Sequence, residues 1–218
     1  GAAFSPDGRL AATASLDKTA RLWDVPSGRL VRVLGEHHGA VTAVVFSPDG
    51  RYVVTTSADG TARLWSLERN GPATVLRAER SSILAARFSA DGRHLATVTQ
   101  EQRVEIRDTA SGEVLRELAG RDGGVRSLAL SPDGRWILTT TWKGEAVLWH
   151  AASGRETATL GNPGQHVTSA DFAAGGQGVV ALAASGALVS WPLPGSLAET
   201  IRHARKLAPD CLTSSERQ

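Results

Sequence analysis

The histidines and the single cysteine are the residues whose side chains could take part in catalysis or bind a metal ion. Cys211 stands alone, which excludes an internal disulfide and a cysteine-rich metal site and suits a reducing compartment. The histidines are His37, His38, His94, His150, His166 and His203. The first two are adjacent, which is not a metal pair by spacing alone, and the others are scattered. The sequence therefore predicts no metal site.

The short motifs that mark the common catalytic sites are also missing from the sequence. It contains no phosphate loop of the G-x-x-x-x-G-K type, no H-E-x-x-H, no C-x-x-C and no G-x-S-x-G. Serine, histidine and aspartate all occur, but turn formation explains the positions of the notable aspartates. We therefore expect neither enzymatic activity nor a cofactor.

The composition is that of a globular chain with no nucleic-acid or membrane surface. Of the 218 residues, 41% are hydrophobic, yet no apolar run approaches the ~20 residues of a membrane-spanning helix. The net charge is +2, and arginines follow an Asp-Gly pair at Arg9, Arg51, Arg93 and Arg135. Such a spaced series is typical of solvated turns. We expect no nucleic-acid partner and a cytoplasmic location.

One hexapeptide, Phe46-Ser47-Pro48-Asp49-Gly50-Arg51, organises the chain because related copies return at a constant interval. They begin at Phe4, Phe88, Leu130 and Phe172, so each step is 42 residues. A fixed period of this length is the signature of a repeat protein. Because the chain starts inside a repeat, we interpret it as the C-terminal piece of a longer protein.

Each repeat is predicted to fold as four short antiparallel strands. In residues 37 to 78, apolar or β-branched stretches begin at Val41, Tyr52, Thr61 and Ala73, with turn-forming residues between them. Pro48-Asp49-Gly50 has the chemistry of a tight turn. A sheet of this kind has two apolar faces, so copies must stack face to face, and radial stacking protects their edges. A helical solenoid is excluded because the repeat has no sustained helical period.

The third strands end in related sequences, Arg21-Leu22-Trp23-Asp24, Arg63-Leu64-Trp65-Ser66 and Val147-Leu148-Trp149-His150. With the Ser-Pro-Asp-Gly turns and the 42-residue step, the chain resembles a WD-repeat β-propeller over residues 1 to 194. The resemblance implies an all-β fold in which each sheet is one blade. The blade number stays open between an arc of a larger ring, usually of seven blades, and a compact ring of five.

The resemblance also implies a structural hydrogen-bonded tetrad in each blade, and one repeat has all its members. They are His37, Thr55, Asp59 and Trp65. In such a tetrad the acid holds the histidine, and the hydroxyl meets the indole N–H. The other repeats match in part. In the third, the residues are Glu79, Thr97, Glu101 and Arg107, and we expect acid–base pairing around Arg107 instead.

In a propeller, the turns between second and third strands gather at one end with the openings of the inner strands. We call this end the top face. Its turn positions are Leu16, Ala58, Gln100, Trp142 and Ala184, and its strand positions are Thr42, Leu84, Arg126 and Thr168. We predict that a partner contacts Trp142, Arg126, Gln100, Thr42, Leu84, Ala58 and Thr168. Trp and Arg are the residue types that most often dominate interfaces. The alternative for Trp142 is that it packs against the neighbouring blade.

After Pro194 the pattern changes. Ser196-Leu197-Ala198-Glu199 is a capping box, and apolar residues follow at helical spacing. Residues 195 to 218 are therefore predicted to form a helical tail that packs on the propeller or docks on another domain. The tail resembles, more weakly, the C-terminal extension of bacterial multidomain WD-repeat proteins that carry a signalling NTPase or effector domain upstream.

The sequence as a whole predicts a non-catalytic scaffold or sensor module of a larger bacterial signalling or regulatory protein. It would bind a protein or peptide on the top face. The alternative is a structural or autoinhibitory domain that restrains an upstream NTPase or effector enzyme. A remote alternative is an enzyme with its site in the propeller channel.

Overall fold

The computed structural model describes residues 1–69, 71–78, 81–101, 103–118, 124–160, 166–173 and 176–193. Within these ranges the chain forms five antiparallel sheets and no helix. The prediction of an all-β fold built from propeller blades is therefore confirmed. The predicted helical tail, residues 195 to 218, lies outside the described residues.

The strands of each blade follow one another in sequence order. Blade 1 consists of β1 (Ala2–Phe4), β2 (Leu10–Ala14), β3 (Ala20–Asp24) and β4 (Leu30–Leu34). Blade 2 consists of β5 (Val41–Phe46), β6 (Tyr52–Ser57), β7 (Ala62–Ser66) and β8 (Thr74–Leu76). Blade 3 consists of β9 (Ile83–Phe88), β10 (His94–Thr99), β11 (Val104–Asp108) and β12 (Val114–Leu118).

The last two blades differ in their described strands. Blade 4 consists of β13 (Val125–Leu130), β14 (Trp136–Thr141), β15 (Ala146–His150) and β16 (Arg155–Leu160). Blade 5 has three strands within the described residues, β17 (Val167–Phe172), β18 (Gly178–Ala183) and β19 (Leu188–Pro192).

The recurring hexapeptide forms the turn between the first and second strands of a blade. In blade 2 the Ser47 hydroxyl donates to Asp49 Oδ1 over 2.5 Å and accepts from the Tyr52 amide over 2.9 Å. Gly50 has φ +70°, a left-handed conformation that glycine adopts without strain. Blades 1, 3 and 4 repeat these bonds. The geometry of the turn thus explains why the hexapeptide varies so little.

Apolar clusters join each blade to the next. Between blades 1 and 2, Leu22 and Leu34 of the first pack against Phe46, Val53 and Trp65 of the second. We call the face that carries Trp65, and its equivalents, the leading face of a blade, and the face that carries Leu22 the trailing face. Every such interface therefore joins a trailing face to a leading face. Burial of one large apolar side chain there contributes about 1.5–3 kcal/mol.

Two apolar faces have no blade against them within the described residues. Phe4, on the leading face of blade 1, is 68% exposed, although the equivalent Phe46 is buried. Leu188, on the trailing face of blade 5, is 74% exposed, although the equivalent Ala146 is fully buried. None of the apolar clusters of the described ranges joins blade 5 to blade 1. The described blades form an arc rather than a closed ring of five.

Candidate functional site

The one complete tetrad lies in blade 2 and is joined by hydrogen bonds throughout. His37 Nδ1 lies 3.0 Å from Asp59 Oδ2, and His37 Nε2 lies 2.8 Å from Thr55 Oγ1. The Trp65 indole N–H donates to the same Thr55 oxygen over 2.9 Å. The network fits a neutral ring whose Nδ1–H donates to the carboxylate and whose Nε2 accepts from the hydroxyl. Every polar group of the tetrad thus has a partner inside the protein.

Burial and charge set the protonation of the tetrad. Burial lowers the pKa of His37, and the hydrogen bond and charge of Asp59 oppose that shift only in part. Burial by itself would raise the pKa of Asp59, but hydrogen bonds from Thr61, His38 and His37 lower it well below its usual range. The acid is therefore ionised and the histidine neutral at neutral pH. This is a structural arrangement, since each lone pair and proton is already engaged.

Blades 1 and 4 keep the indole–hydroxyl pair of the tetrad. The Trp23 N–H donates to Thr13 Oγ1 over 3.0 Å, and the Trp149 N–H donates to Thr139 Oγ1 over 2.9 Å. Arg121 and Pro163, which stand at the histidine position in repeats four and five, lie outside the described residues, as does Glu79 of the third.

The acid that pairs with Arg107 in blade 3 is Glu105, which is not one of the four tetrad positions. Arg107 forms an ion pair with Glu105, and both side chains are 4% exposed. Glu101 lies near Arg103 instead, with its Oε2 3.6 Å from Arg103 Nε. Acid–base pairing around Arg107 was expected, and Glu105 provides the acid because alternate residues of a strand project from the same face. Glu105, two residues before Arg107, is therefore its neighbour, whereas Glu101 lies in the turn.

The predicted strand positions of the top face are all β-bulges. Strand pairing skips Thr42, Leu84, Arg126 and Thr168, and one residue is extra at each place. A bulge leaves the extra residue unpaired and changes the direction of its side chain. Thr42, Leu84 and Arg126 are exposed, and Thr168 is partly buried. The sheet therefore presents these positions to solvent at one end of every such blade.

Backbone bonds hold each turn of the top face against the bulge of its own blade. The amides of the turn residues Ala58, Gln100, Trp142 and Ala184 donate to carbonyls just before the bulged strand, over 2.7–3.3 Å. Further bonds cross to the next blade, as from the Val167 amide to the Gly144 carbonyl over 2.9 Å. The turns and bulges thus form one continuous surface along the arc.

Arg126 and Trp142 are the two predicted residues whose side chains the structure brings together. The Arg126 guanidinium carbon lies 5.2 Å from the centroid of the Trp142 ring, a cation–π contact. Trp142 is 66% exposed, so it does not fill a gap against the neighbouring blade. The alternative in which Trp142 is an interblade packing residue does not fit this exposure.

The remaining predicted residues lie on the same face as that pair. Thr42 hydrogen-bonds Thr56, its Oγ1 lying 3.0 Å from the other hydroxyl oxygen. Thr168 donates to the Leu182 carbonyl over 2.9 Å. Leu84 is 51% exposed, and Ala58 and Gln100 are exposed at their turns. These positions extend the surface along the arc.

Two further residues adjoin the pair and were not predicted. Lys143 follows Trp142 in the turn and is exposed, and the ring of His166 lies 3.0 Å through Nδ1 from the Lys143 carbonyl. His166 was counted among the scattered histidines. The 42-residue period would have placed it, because its equivalents Ala40 and Ser82 also stand beside the turn of a blade.

Neither a metal site nor a membrane-spanning helix accompanies this surface in the described residues. In those ranges, no group of three or more His, Cys, Asp or Glu side chains is arranged to hold a metal ion. No helix long and apolar enough to cross a bilayer occurs there. The exposed surface of bulges and turns is therefore the strongest candidate.

Three segments of the chain, residues 1–24, 28–66 and 112–150, match the family model of the WD domain, G-beta repeat. These segments end with the third strands of blades 1, 2 and 4. Together with the antiparallel sheets, the matches support a WD-repeat β-propeller. Such repeats generally mediate protein–protein interaction. No curated protein matches the chain significantly.

Proposed function

We propose that this chain is a non-catalytic interaction module that binds a protein or peptide on its top face. The observation that carries the proposal is the exposed Trp142, stacked on Arg126 at a β-bulge. An indole exposed to solvent contributes no hydrophobic stabilisation to the free protein. When a partner covers the ring, removal of its apolar surface from water favours binding. Trp and Arg are also the residue types most enriched among binding hot spots.

The stack favours binding because it fixes both side chains before the partner arrives. Immobilising a rotamer-rich side chain on association costs about 0.5–1.5 kcal/mol, so a pre-ordered pair loses less. The guanidinium on the ring still has hydrogen-bond donors directed away from it. A partner segment with an acidic residue fits this surface best, because Lys143 beside the pair is also an exposed cation.

We place this module in a larger bacterial signalling or regulatory protein in the cytoplasm. The single cysteine suits a reducing compartment. The weak resemblance of the tail to bacterial multidomain proteins supports the larger context. The partner is then another protein or another domain of the same chain.

A second candidate function is restraint of an upstream NTPase or effector enzyme. It is favoured by the exposed leading face of blade 1, where Phe4 offers apolar surface that another domain could cover. The activity of the intact parent would be compared with that of a form lacking residues 1–218. Equal activities would reject restraint.

Peptide selection tests the primary proposal without a known partner. A displayed library of random peptides would be screened for binding to the full chain. The dissociation constants of the selected peptides would then be measured by calorimetry. We expect Trp142→Ala to lower the affinity of these peptides by about tenfold or more, corresponding to a loss of binding free energy near 2 kcal/mol. Arg126→Ala should lower the affinity of peptides that contain an acidic residue and have less effect on the affinity of those without one.

Leu16→Ala is the matched control, since Leu16 is an exposed top-face residue at the equivalent turn of blade 1. It should leave both affinity and melting temperature unchanged. If the selected peptides bind Trp142→Ala as tightly as the wild-type chain, the assignment of the top face is wrong. Melting curves of each variant would separate lost binding from lost folding.

A further inference from the structure

A cavity of about 290 Å³ lies between blades 3 and 4, at the end of the sheets opposite the top face. We call it the interblade cleft. Its apolar walls come from Ile106 and Leu115 of blade 3 and from Leu130, Ile137 and Ala151 of blade 4. His94, Arg116, Gly134 and Ala152 complete the lining. Leu115 is 53% exposed, so the cleft is open to solvent at its rim.

The cleft lies where three repeat positions carry smaller or more polar side chains than at the interfaces of blades 1 and 2 and of blades 4 and 5. At the interface of blades 1 and 2 these positions are filled by Leu10, Phe46 and Leu67. At the interface of blades 4 and 5 they are filled by Trp136, Phe172 and Leu193. Here they hold His94, Leu130 and Ala151. An aromatic ring and a leucine side chain are therefore replaced by smaller groups.

Water is a poor occupant of this space. The cleft has room for water, but most of its wall is apolar. Buried waters are held by two to four polar partners, and His94 and Arg116 are the polar side chains of this lining. Displacing poorly held water by an apolar group increases affinity. The volume lies at the lower end of small-ligand pockets, which suits one large side chain.

The cation at the rim is less engaged than its counterpart in another blade. Arg32, at the equivalent position of blade 1, donates to the carbonyls of Ser66, Arg69 and Gly71, the shortest bond being 2.7 Å. In the described part of the structure, the Arg116 guanidinium makes one hydrogen bond, to the Ser153 carbonyl over 3.4 Å. Arg116 thus has donors available for an acid.

We propose that the interblade cleft binds an aromatic side chain of a partner peptide, with a neighbouring carboxylate of that peptide on Arg116. The ring occupies the place that Phe46 and Leu67 fill between blades 1 and 2. The carboxylate forms a charge-assisted pair with the guanidinium, which accepts it in the planar, bidentate geometry that suits this group. The site is separate from the top face, so either one can bind without the other.

Acidic groups of the protein near the cleft restrict where the peptide carboxylate can lie. Asp108 lies opposite His94 in the pairing of β10 with β11, and Asp91 lies in the turn that precedes His94. Burial would raise the pKa of Asp91, but the hydrogen bond from Ser89 lowers it, and the Ser111 amide lowers the pKa of Asp108. Both carboxylates already accept turn hydrogen bonds, from Ser89 and from Ser111. They repel a further anion on the His94 side. The peptide acid must therefore point towards Arg116.

Methyl NMR can detect this binding directly. The probes are the tetrapeptide acetyl-Ala-Phe-Glu-Ala-amide and two matched peptides in which Phe is replaced by Ala or Glu by Gln. With ¹³C-labelled isoleucine methyl groups, Ile106 and Ile137 report on the cleft. Ile83 lies buried between blades 2 and 3 and serves as the internal reference. We expect the first peptide to shift the two cleft methyls and leave Ile83 in place.

Two sets of variants test the two parts of the recognition. Leu130→Phe with Ala151→Leu fills the cleft with residues that the chain itself uses at equivalent positions. It should abolish the shifts while the melting temperature stays the same or rises. Arg116→Gln should lower the affinity of the Glu peptide by about threefold or more. The Glu and Gln peptides should then bind with equal affinity. Arg32→Gln, at the equivalent position of blade 1, should leave the peptide affinity unchanged.

Several outcomes would overturn the proposal. Shifts that persist in the filled variant, or that appear equally at Ile83, would mean that the peptide does not occupy the cleft. Equal binding of the Phe and Ala peptides would remove the aromatic group from the recognition. If free N-acetyl-phenylalanine bound and the tetrapeptide did not, the cleft would be a small-molecule site instead.

Discussion

Arg107 Nε lies 3.4 Å from Thr97 Oγ1 and donates a hydrogen bond to it. In blade 2 the indole N–H of Trp65 holds the equivalent place against Thr55. Arg107 thus replaces a neutral donor by a cation, and the buried Glu105 carboxylate neutralises it. A charged pair has taken over a position that the other described repeats give to tryptophan.

This replacement predicts a strong dependence of stability on Glu105. Glu105→Val should lower the free energy of unfolding by about 3–5 kcal/mol, because the guanidinium of Arg107 is then buried without its counter-ion. Adding Arg107→Trp recreates the Val147–Trp149 pattern of blade 4. The double variant should unfold near the wild-type free energy or above it, since apolar replacement of a buried ion pair is often neutral or stabilising.

Urea denaturation of the wild type, the single variant and the double variant would measure these differences. A single variant as stable as the wild type would contradict the pairing. A double variant no more stable than the single one would mean that the indole cannot reach Thr97.

The two threonines that accept from tryptophan should differ in their contribution. Thr55→Val removes the hydrogen-bond partner of two groups, the Trp65 N–H and the His37 Nε2. Thr139→Val removes the partner of one group, the Trp149 N–H. Each unsatisfied buried group costs about 1–3 kcal/mol. We therefore expect Thr55→Val to reduce the melting temperature clearly more than Thr139→Val. Equal losses, measured by calorimetry, would argue against the tetrad as a unit.

Stability should fall as the pH decreases through the titration of His37. The pKa of His37 is lower in the folded protein than its ordinary value of 6.5. The unfolded chain therefore binds more protons in this range, and its population increases as the pH falls below about 6.5. The lowered pKa of Asp59 adds a second loss below its ordinary value of 3.8. The contribution of each group is complete above these ordinary values.

His37→Gln is the control for this pH dependence. The variant should be less stable than the wild type at pH ~7.5, because the hydrogen bonds to Thr55 and Asp59 are disturbed. Its melting temperature should then fall less between pH ~7.5 and ~5 than that of the wild type. Parallel curves for the two proteins would show that another group controls this range.

The third hexapeptide, which has alanine where three others have proline, predicts a stabilising change. Ala90 stands at the position of Pro6, Pro48 and Pro132, and the same turn closes around it, with the Gly92 amide 2.9 Å from the Ser89 carbonyl. Ala90→Pro should stabilise the protein by about 0.4–1 kcal/mol by restricting the unfolded chain. Pro48→Ala should have the opposite effect of similar size. A loss on Ala90→Pro would mean that the turn backbone differs from its equivalents.

The repeat pattern was enough to predict the sheets, because turn chemistry and β-branched stretches recur in phase. The second strand of blade 2 was expected from Tyr52 and forms β6 from that residue. Its third strand begins at Ala62, one residue after the expected Thr61. Such small differences at strand ends depend on the turn geometry and not on the periodicity.

The bulges could not be predicted, because the residues they hold share no chemistry. Thr42, Leu84, Arg126 and Thr168 have different side chains, yet each is the extra residue of its strand. The backbone bonds of the neighbouring turn determine the irregularity. The Glu105–Arg107 pair, in contrast, was available from the two-residue period of a strand. Glu105 was not named for the third repeat because only the four tetrad positions were compared.

The interfaces between blades also give the arc a direction. Every trailing face meets a leading face, so the two ends of the described array are chemically different, like the two ends of a polar filament. An inserted or deleted unit of 42 residues would preserve the order of the faces at every remaining junction. The chemistry of an interface between blades therefore does not determine the number of blades. The angle between successive blades must set the number at which a ring closes.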